Sequence, residues 1–380
     1  MSLADRWRLE IEHLKAAGRY RVLQALAGID FSSNDYLGYS KRALPVGDLP
    51  HSGTASRLLR GEHPIWEEVE AKLARWHRAE SALVMTSGYA ANEGLLSTII
   101  APDDVVFSDQ CNHASIIDGL RLSRAEKVVF AHNDLNEFES RLRQRMLTRT
   151  GSQAWFVVTE SLFGMEGDLA PLRQLADLTE RYQAHLIVDE AHATGCFGVN
   201  GSGLVDSLGL RERVLATVHT GGKALAVPGA YVVGSRLLKE MLVNRCRHFI
   251  YTTALPPIIG AWWMDTIDTV EADDDARRTL RERTRFFRAE LANRGIDGAG
   301  TEYVVSIVLG QDHAAIESAR RLQQASFDVR AIRPPTVPDG TARLRISIHA
   351  DHEPAVLERL ADRLGALAPS DSCAPHKTCK

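Results

Sequence analysis

Over 380 residues, 44% of them hydrophobic and 25% charged, the chain has the composition of an ordinary globular protein with a sizeable core, about two or three domains by length. Its formal net charge of −4 supplies no bulk attraction to nucleic acid or an anionic membrane, and no apolar run approaches the roughly 20 residues that cross a bilayer. Five cysteines (Cys111, Cys196, Cys246, Cys373 and Cys379), odd in number and without a C-x-x-C pair, argue against a disulfide framework and for a reducing, cytoplasmic setting.

The chain opens on a charged stretch at helical spacing with no apolar signal core, a helical arm taken as residues 1–40. A helix is expected over Pro64–Trp76. Apolar runs then alternate with amphipathic helices, with strands expected at Asp104–Ser108, Lys127–Phe130, Trp155–Thr159, His185–Val188, Leu215–His219 and Tyr231–Val233. Several are nearly continuous in Val, Ile, Leu and Phe, as strands buried on both faces should be. A helix is expected over Leu169–Tyr182. The pattern is that of an α/β domain with a mainly parallel sheet, placed at residues 41–280.

A charged helix from Asp273 to Arg294, stopped by Gly295, leads into a shorter pattern. Strand, helix, strand, strand and helix are expected at Glu302–Leu309, Ala314–Gln324, Asp328–Ile332, Arg343–Ile348 and Glu353–Leu364. That reads as a smaller α+β domain at residues 281–368, followed by a disordered tail, 369–380.

Common nucleotide and hydrolase motifs are missing. Gly222-Lys223 lacks the upstream glycine of a phosphate loop, since position 217 is Thr, and Ala224 follows the lysine. The glycines at 198, 201 and 203 have the wrong order for a dinucleotide fingerprint. Neither H-E-x-x-H nor G-x-S-x-G occurs, and no metal is called for.

Four stretches converge instead. In HLIVDEAHATG, residues 185–195, an apolar strand ends in Asp189, with His192 three residues on. Open α/β sheets bind ligands beyond the carboxyl ends of strands, and a carboxylate there can keep a pyridine nitrogen protonated while His192 meets a phenolic oxygen. A strand-end Asp capping the next turn would look the same. In VHTGGKALAVPG, residues 218–229, Lys223 follows two glycines one strand later, and a confined amine can capture an aldehyde as a Schiff base. In MTSGYAANEGLL, residues 85–96, Ser87, Gly88 and Tyr89 would open a helix whose free N–H groups suit a phosphate, or merely cap it. In GTARLRISIHAD, residues 340–351, Arg343, Arg345 and Ser347 share one face of a strand, either solvated or clamping a carboxylate. Amine, strand-end carboxylate and phosphate cradle are together the requirements of pyridoxal 5'-phosphate (PLP).

The chain resembles the α-oxoamine synthases of PLP fold type I from about Arg21 to Leu364. The resemblance rests on FSSNDYLG at 31–38, SGTASRLLRGEHPIWEEVEAKLARW at 52–76, TSGYAAN at 86–92, DQCNHASIIDG at 109–119 and TESLFGMEGDLAPL at 159–172. It continues through VDEAHATG, HTGGKA, IYTTALPP at 250–257 and AIRPPTVPDGTARLRIS at 331–347. The last block, with FAHND at 130–134, is spelled most like members that condense L-alanine with a pimeloyl thioester, on coenzyme A or a carrier protein, in biotin biosynthesis.

The resemblance implies a large PLP-binding domain, a smaller C-terminal domain and an N-terminal arm. It makes Lys223 the Schiff-base lysine, Asp189 the partner of the pyridine nitrogen, His192 the contact to the phenolic oxygen, and His113 the group stacked on the ring and meeting substrate. Ser87, Gly88, Tyr89, Gly164 and Thr220 would complete the cofactor shell. Thr253 would reach a phosphate in the partner subunit of a homodimer. Arg345 and Asn34 would face the amino-acid carboxylate, while Arg21 and Thr336 would meet the acyl substrate. Lys223 would remove the Cα proton, and the carbanion would attack the thioester and expel the thiol before CO₂ leaves. Gly164 departs from the usual Ser of its block, so a hydroxyl near the cofactor is lost. Ser56, where glycine-using relatives often have Thr, leaves room for the methyl of alanine. The resemblance leaves open another α-oxoamine synthase, using glycine or serine with a different acyl-CoA, and a fold-type-I aminotransferase.

Overall fold

The structure, a computed structural model, describes residues 1–25 and 27–367. The tail expected at 369–380, with Cys373 and Cys379, lies outside the described residues. The chain divides into a large unit, residues 34–164 and 169–278, and a small unit, residues 1–33, 165–168 and from 279 onward.

Numbered in chain order, β1 (Ile29–Asp30) belongs to the small unit. The large unit is built on β2 (Ser81–Met85), β3 (Val105–Asp109), β4 (Glu126–Phe130), β5 (Trp155–Glu160), β6 (His185–Asp189), β7 (Ala216–Thr220) and β8 (Ala230–Gly234). They form one sheet in the order β2-β8-β7-β6-β5-β3-β4. Pairings from β4 through β7 are parallel, and β8 runs antiparallel to both β7 and β2. Alternation along the strands divides the core. Val106, Val158, Ile187, Val218 and Val232 pack on one face with Leu95, Leu96 and Leu120 from helices. Phe107, Val157, Leu186 and Val188 pack on the other with Phe138, Leu172 and Leu175. Each such side chain contributes about 1.5–3 kcal/mol on burial.

Local signals account for the flanking helices. Pro64–Trp76 starts with proline at its first position and His63 as N-cap, and buries Trp66, Val69, Leu73 and Trp76 at helical spacing. The helix expected from Leu169 begins only at Leu172, because Leu169 bridges Leu162 and Pro171 sets the N-cap. β2 had no place among the expected strands: ALVM lies between two helical patterns with no separate turn signal.

In the small unit β9 (Val304–Gly310), β11 (Arg330–Ile332) and β12 (Ala342–Ser347) make an antiparallel sheet ordered β11-β12-β9. β10 (Phe327–Asp328) pairs in parallel with β1, so the expected strand 328–332 is two short ones. The arm is a helix over Leu3–Ala16 with an Asp5–Ser2 capping box and no buried residue. No helix among the described residues is long and apolar enough to cross a membrane.

Candidate active site

β6 carries only apolar residues inward until Asp189, which stays buried at its carboxyl end. A buried carboxylate needs donors. The Ala191 N–H donates to Oδ1 at 2.8 Å, and Asn92 Nδ2 donates to Oδ2 at 2.7 Å while also reaching Ser115 Oγ at 2.9 Å. In the adjacent β7, Val218 is in register with Asp189, and the turn after Thr220 presents Lys223. Lys223 Nζ lies 2.7 Å from His192 Nε2, and His192 Nδ1 lies 2.7 Å from the buried Tyr36 hydroxyl. Lysine, histidine and strand-end carboxylate, expected together, share one end of the sheet.

His113 is the N-cap of the helix Ala114–Ser123, where its Nδ1 accepts the Ser115 N–H at 3.2 Å. Its own N–H donates to Glu160 Oε1 at 2.7 Å, from the carboxyl end of β5. Burial lowers the His113 pKa; the Asp189 charge opposes that shift and Lys223 adds to it. His113 therefore feels both residues electrostatically. Glu160 also accepts the Gly164 N–H at 3.4 Å. A Cβ at Gly164 would fall 2.2 Å from His192 Nε2, so the histidine fills the space that a side chain there would need.

Ser87 caps the helix Gly88–Ile99, its Oγ accepting the Ala90 N–H at 3.2 Å. A Cβ at Gly88 would sit 3.5 Å from the Thr220 side chain, which puts the helix N-terminus beside the end of β7. Free N–H groups and the helix dipole favour an anion there. Tyr89 donates its hydroxyl to Asp118, and that bond raises its pKa; its ring stands edge-on to His113, with centroids 6.1 Å apart. Thr253 lies on an exposed loop next to buried Ala254. Asn34 accepts the Tyr36 hydroxyl at 2.9 Å, and Ser56 is buried in a turn where its carbonyl accepts the Gly61 N–H at 3.0 Å. The residues fit PLP: an amine for the aldehyde, a buried carboxylate for the ring nitrogen and a helix N-terminus for the phosphate.

In the small unit Arg343, Arg345 and Ser347 are buried along β12, which removes the solvated reading of the two arginines. Arg343 Nη1 reaches the Met165 carbonyl at 3.3 Å and the Glu166 carboxylate at 3.4 Å. Arg345 Nη1 donates to Ser347 Oγ at 2.9 Å. Arg21 Nη2 donates to Thr336 Oγ1 at 3.3 Å, which brings together the two residues expected at the acyl substrate.

Three polar residues escaped the sequence reading. Asn92, Tyr36 and Glu160 are buried at 4%, 0% and 5% exposure and hold Asp189, His192 and His113. Asn92 left a signal, because asparagine inside an apolar helix competes poorly for the helical state and implies a side-chain partner. Glu160 ends β5 in register with Asp189, as a second strand-end carboxylate. Tyr36 had no such cue.

Helices on both faces of a mainly parallel sheet, and a lysine one strand beyond a strand-end aspartate, define a PLP-dependent enzyme of fold type I. The sequence profile of class I and II aminotransferases matches residues 27–364, and the chain belongs to that family. It is 40% identical over 381 residues to an 8-amino-7-oxononanoate synthase of Anaeromyxobacter dehalogenans, covering 95% of this chain and 94% of that one. With the corresponding enzyme of Chlorobaculum parvum it shares 38% over 394 residues, covering 97% and 100%. Among solved structures, a serine palmitoyltransferase of Sphingomonas wittichii superposes with TM-score 0.88 at 26% identity, covering 97% of this chain and 98% of that one. An 8-amino-7-oxononanoate synthase of Francisella tularensis does so with TM-score 0.75 at 28% identity, covering 89% and 97%.

Proposed function

We propose that the chain catalyses the decarboxylative condensation of L-alanine with a pimeloyl thioester, giving 8-amino-7-oxononanoate, CO₂ and free thiol. One observation carries this reading: Lys223 and His192 are in contact, with Asp189 and His113 at or just after strand ends of the same sheet, in a chain about 40% identical, over nearly its whole length, to curated 8-amino-7-oxononanoate synthases. Bound PLP supplies an aldehyde that captures the amino group and a ring that accepts the electron pair left at Cα when its proton departs.

The protein's own residues do the rest. Asp189, fixed by Asn92 and the Ala191 N–H, keeps a negative charge where the ring nitrogen must stay protonated. Lys223 takes up the Cα proton at Nζ. His113 would lie against the cofactor ring, and Arg345 would clamp the amino-acid carboxylate with its planar guanidinium. Arg21 and Thr336 hold the acyl chain, and the pimeloyl group arrives on coenzyme A or on a carrier protein.

The active form is read as a cytoplasmic homodimer in which Thr253 serves the partner's phosphate. The arm helix supports a dimer, since Leu3, Trp7, Leu9 and Ile11 all stand exposed on it and apolar surface of that kind seeks a partner.

The serine palmitoyltransferase likeness favours a second reading, serine with a long-chain acyl thioester. Incubating the PLP-loaded protein with each amino acid and thioester pair, and identifying products by mass, separates the two. Formation of 8-amino-7-oxononanoate from alanine and pimeloyl-CoA is expected; product from serine and palmitoyl-CoA alone would overturn the proposal.

A further inference from the structure

Four polar groups in the large unit form a chain with one consistent direction. Lys223 Nζ stands 2.7 Å from His192 Nε2, His192 Nδ1 stands 2.7 Å from the Tyr36 oxygen, and the Tyr36 hydroxyl donates to Asn34 Oδ1 at 2.9 Å. An ammonium has hydrogens and no lone pair, so Nε2 must accept from Lys223. The Tyr36 proton is committed to Asn34, so the phenol oxygen must accept from His192, which puts the imidazole proton on Nδ1. Each bond polarises the next, and a buried chain of this kind holds its direction. Gly164 leaves the ring its place, since a Cβ there would lie 2.2 Å from Nε2 and 2.7 Å from Cε1.

The geometry points to Tyr36 as a positioning residue: anchored by Asn34, it holds His192 in the Nδ1–H tautomer, so that the Nε2 lone pair faces Lys223 and takes its proton. In that step one N–H bond of the Lys223 ammonium breaks, its electron pair stays on Nζ as the lone pair of a free amine, and the proton forms an N–H bond at Nε2. His192 becomes an imidazolium whose Nδ1–H still rests on Tyr36. The free amine is the form that attacks an aldehyde. The inference rests on Lys223 being the cofactor lysine, and not on which amino acid or thioester follows.

The test is nitrogen NMR of the full chain with ¹⁵N-labelled histidine, before PLP is added, with His192 assigned by its loss in His192→Asn. The expected spectrum has a protonated Nδ1 and an unprotonated Nε2 at His192. In Tyr36→Phe the two tautomers should mix, and capture of added PLP, followed by absorbance, should slow about tenfold or more. A wild-type His192 protonated at Nε2 would overturn the inference without any variant. So would a folded Tyr36→Phe protein that keeps both the tautomer and the capture rate. Neither result depends on the alanine reaction, so failure here is distinct from failure of the proposed function.

Discussion

The two units treat their charged candidates differently. In the large unit three titratable groups are braced by buried polar groups: Asp189 by Asn92, the His113 imidazole by Ser115, and His192 by Tyr36. In the small unit Arg345 is held along its own strand by Ser347, and Arg343 by the Met165 carbonyl and Glu166. A guanidinium stays charged wherever it is put, so it needs only a position. A carboxylate, an imidazole and an amine must also be kept in one protonation state, which takes partners as well as a place. The large unit therefore reads as the seat of proton chemistry, and the small unit as a source of fixed charge.

The sharpest way to break that division is Lys223→Ala, which should lower turnover at least about 10³-fold, measured by thiol release. Normal turnover would remove the large unit from the chemistry. Arg345→Ala should act chiefly on binding, raising KM for alanine by about tenfold to a hundredfold, the worth of a charged hydrogen bond. A loss in kcat with unchanged KM would make Arg345 more than a fixed charge. Gly164→Ser separates two accounts of the missing hydroxyl. If the position serves to make room for His192, PLP affinity by equilibrium dialysis should fall about tenfold; tighter binding would mean that the lost hydroxyl matters more than the space.

A separate effect, on stability rather than turnover, concerns buried histidines in both units. Burial depresses His77 of the large unit to about 3 and His352 of the small unit to about 4, from an ordinary 6.5, and pushes His219 well down as well. Groups that are neutral when folded bind protons first in the unfolded chain. Their stabilising contribution is complete above about pH 6.5 and drains as the pH falls toward their folded values, at roughly 1.4 kcal/mol per unit for each proton taken up. Glu190 runs the other way, because burial raises it to about 7 and its contribution fades as pH climbs from 4.5. Urea midpoints should drop steadily from pH 6.5 to 4.5, and a flat profile would contradict the neutral buried histidines.

Legibility in the sequence followed the same division. Strands buried on both faces are continuous apolar runs, so β3 and β5 through β8 stood out, and two of them end on the polar residues Asp189 and Thr220. Lys223, His192 and Ser87 were visible because glycine turns and strand ends mark where a ligand can lie. Their braces were not. Tyr36 is separated from His192 by 156 residues, and nothing local in NDYLG says that its hydroxyl will meet an imidazole. Gly164 read as a missing hydroxyl, because the ring occupying its space comes from a segment 28 residues away in sequence (192 − 164). In the small unit the alternation of Arg343, Arg345 and Ser347 gave the face but not its burial, which comes from β9, β11 and the Met165–Glu166 segment.

Everything proposed for the site depends on Lys223 being the one lysine that captures the cofactor. Loading the full chain with PLP, reducing it with borohydride and mapping pyridoxyl-lysine by peptide mass spectrometry tests it directly. A single modified peptide carrying the label on Lys223 is expected; a label on another lysine, or none at all, would rule that role out.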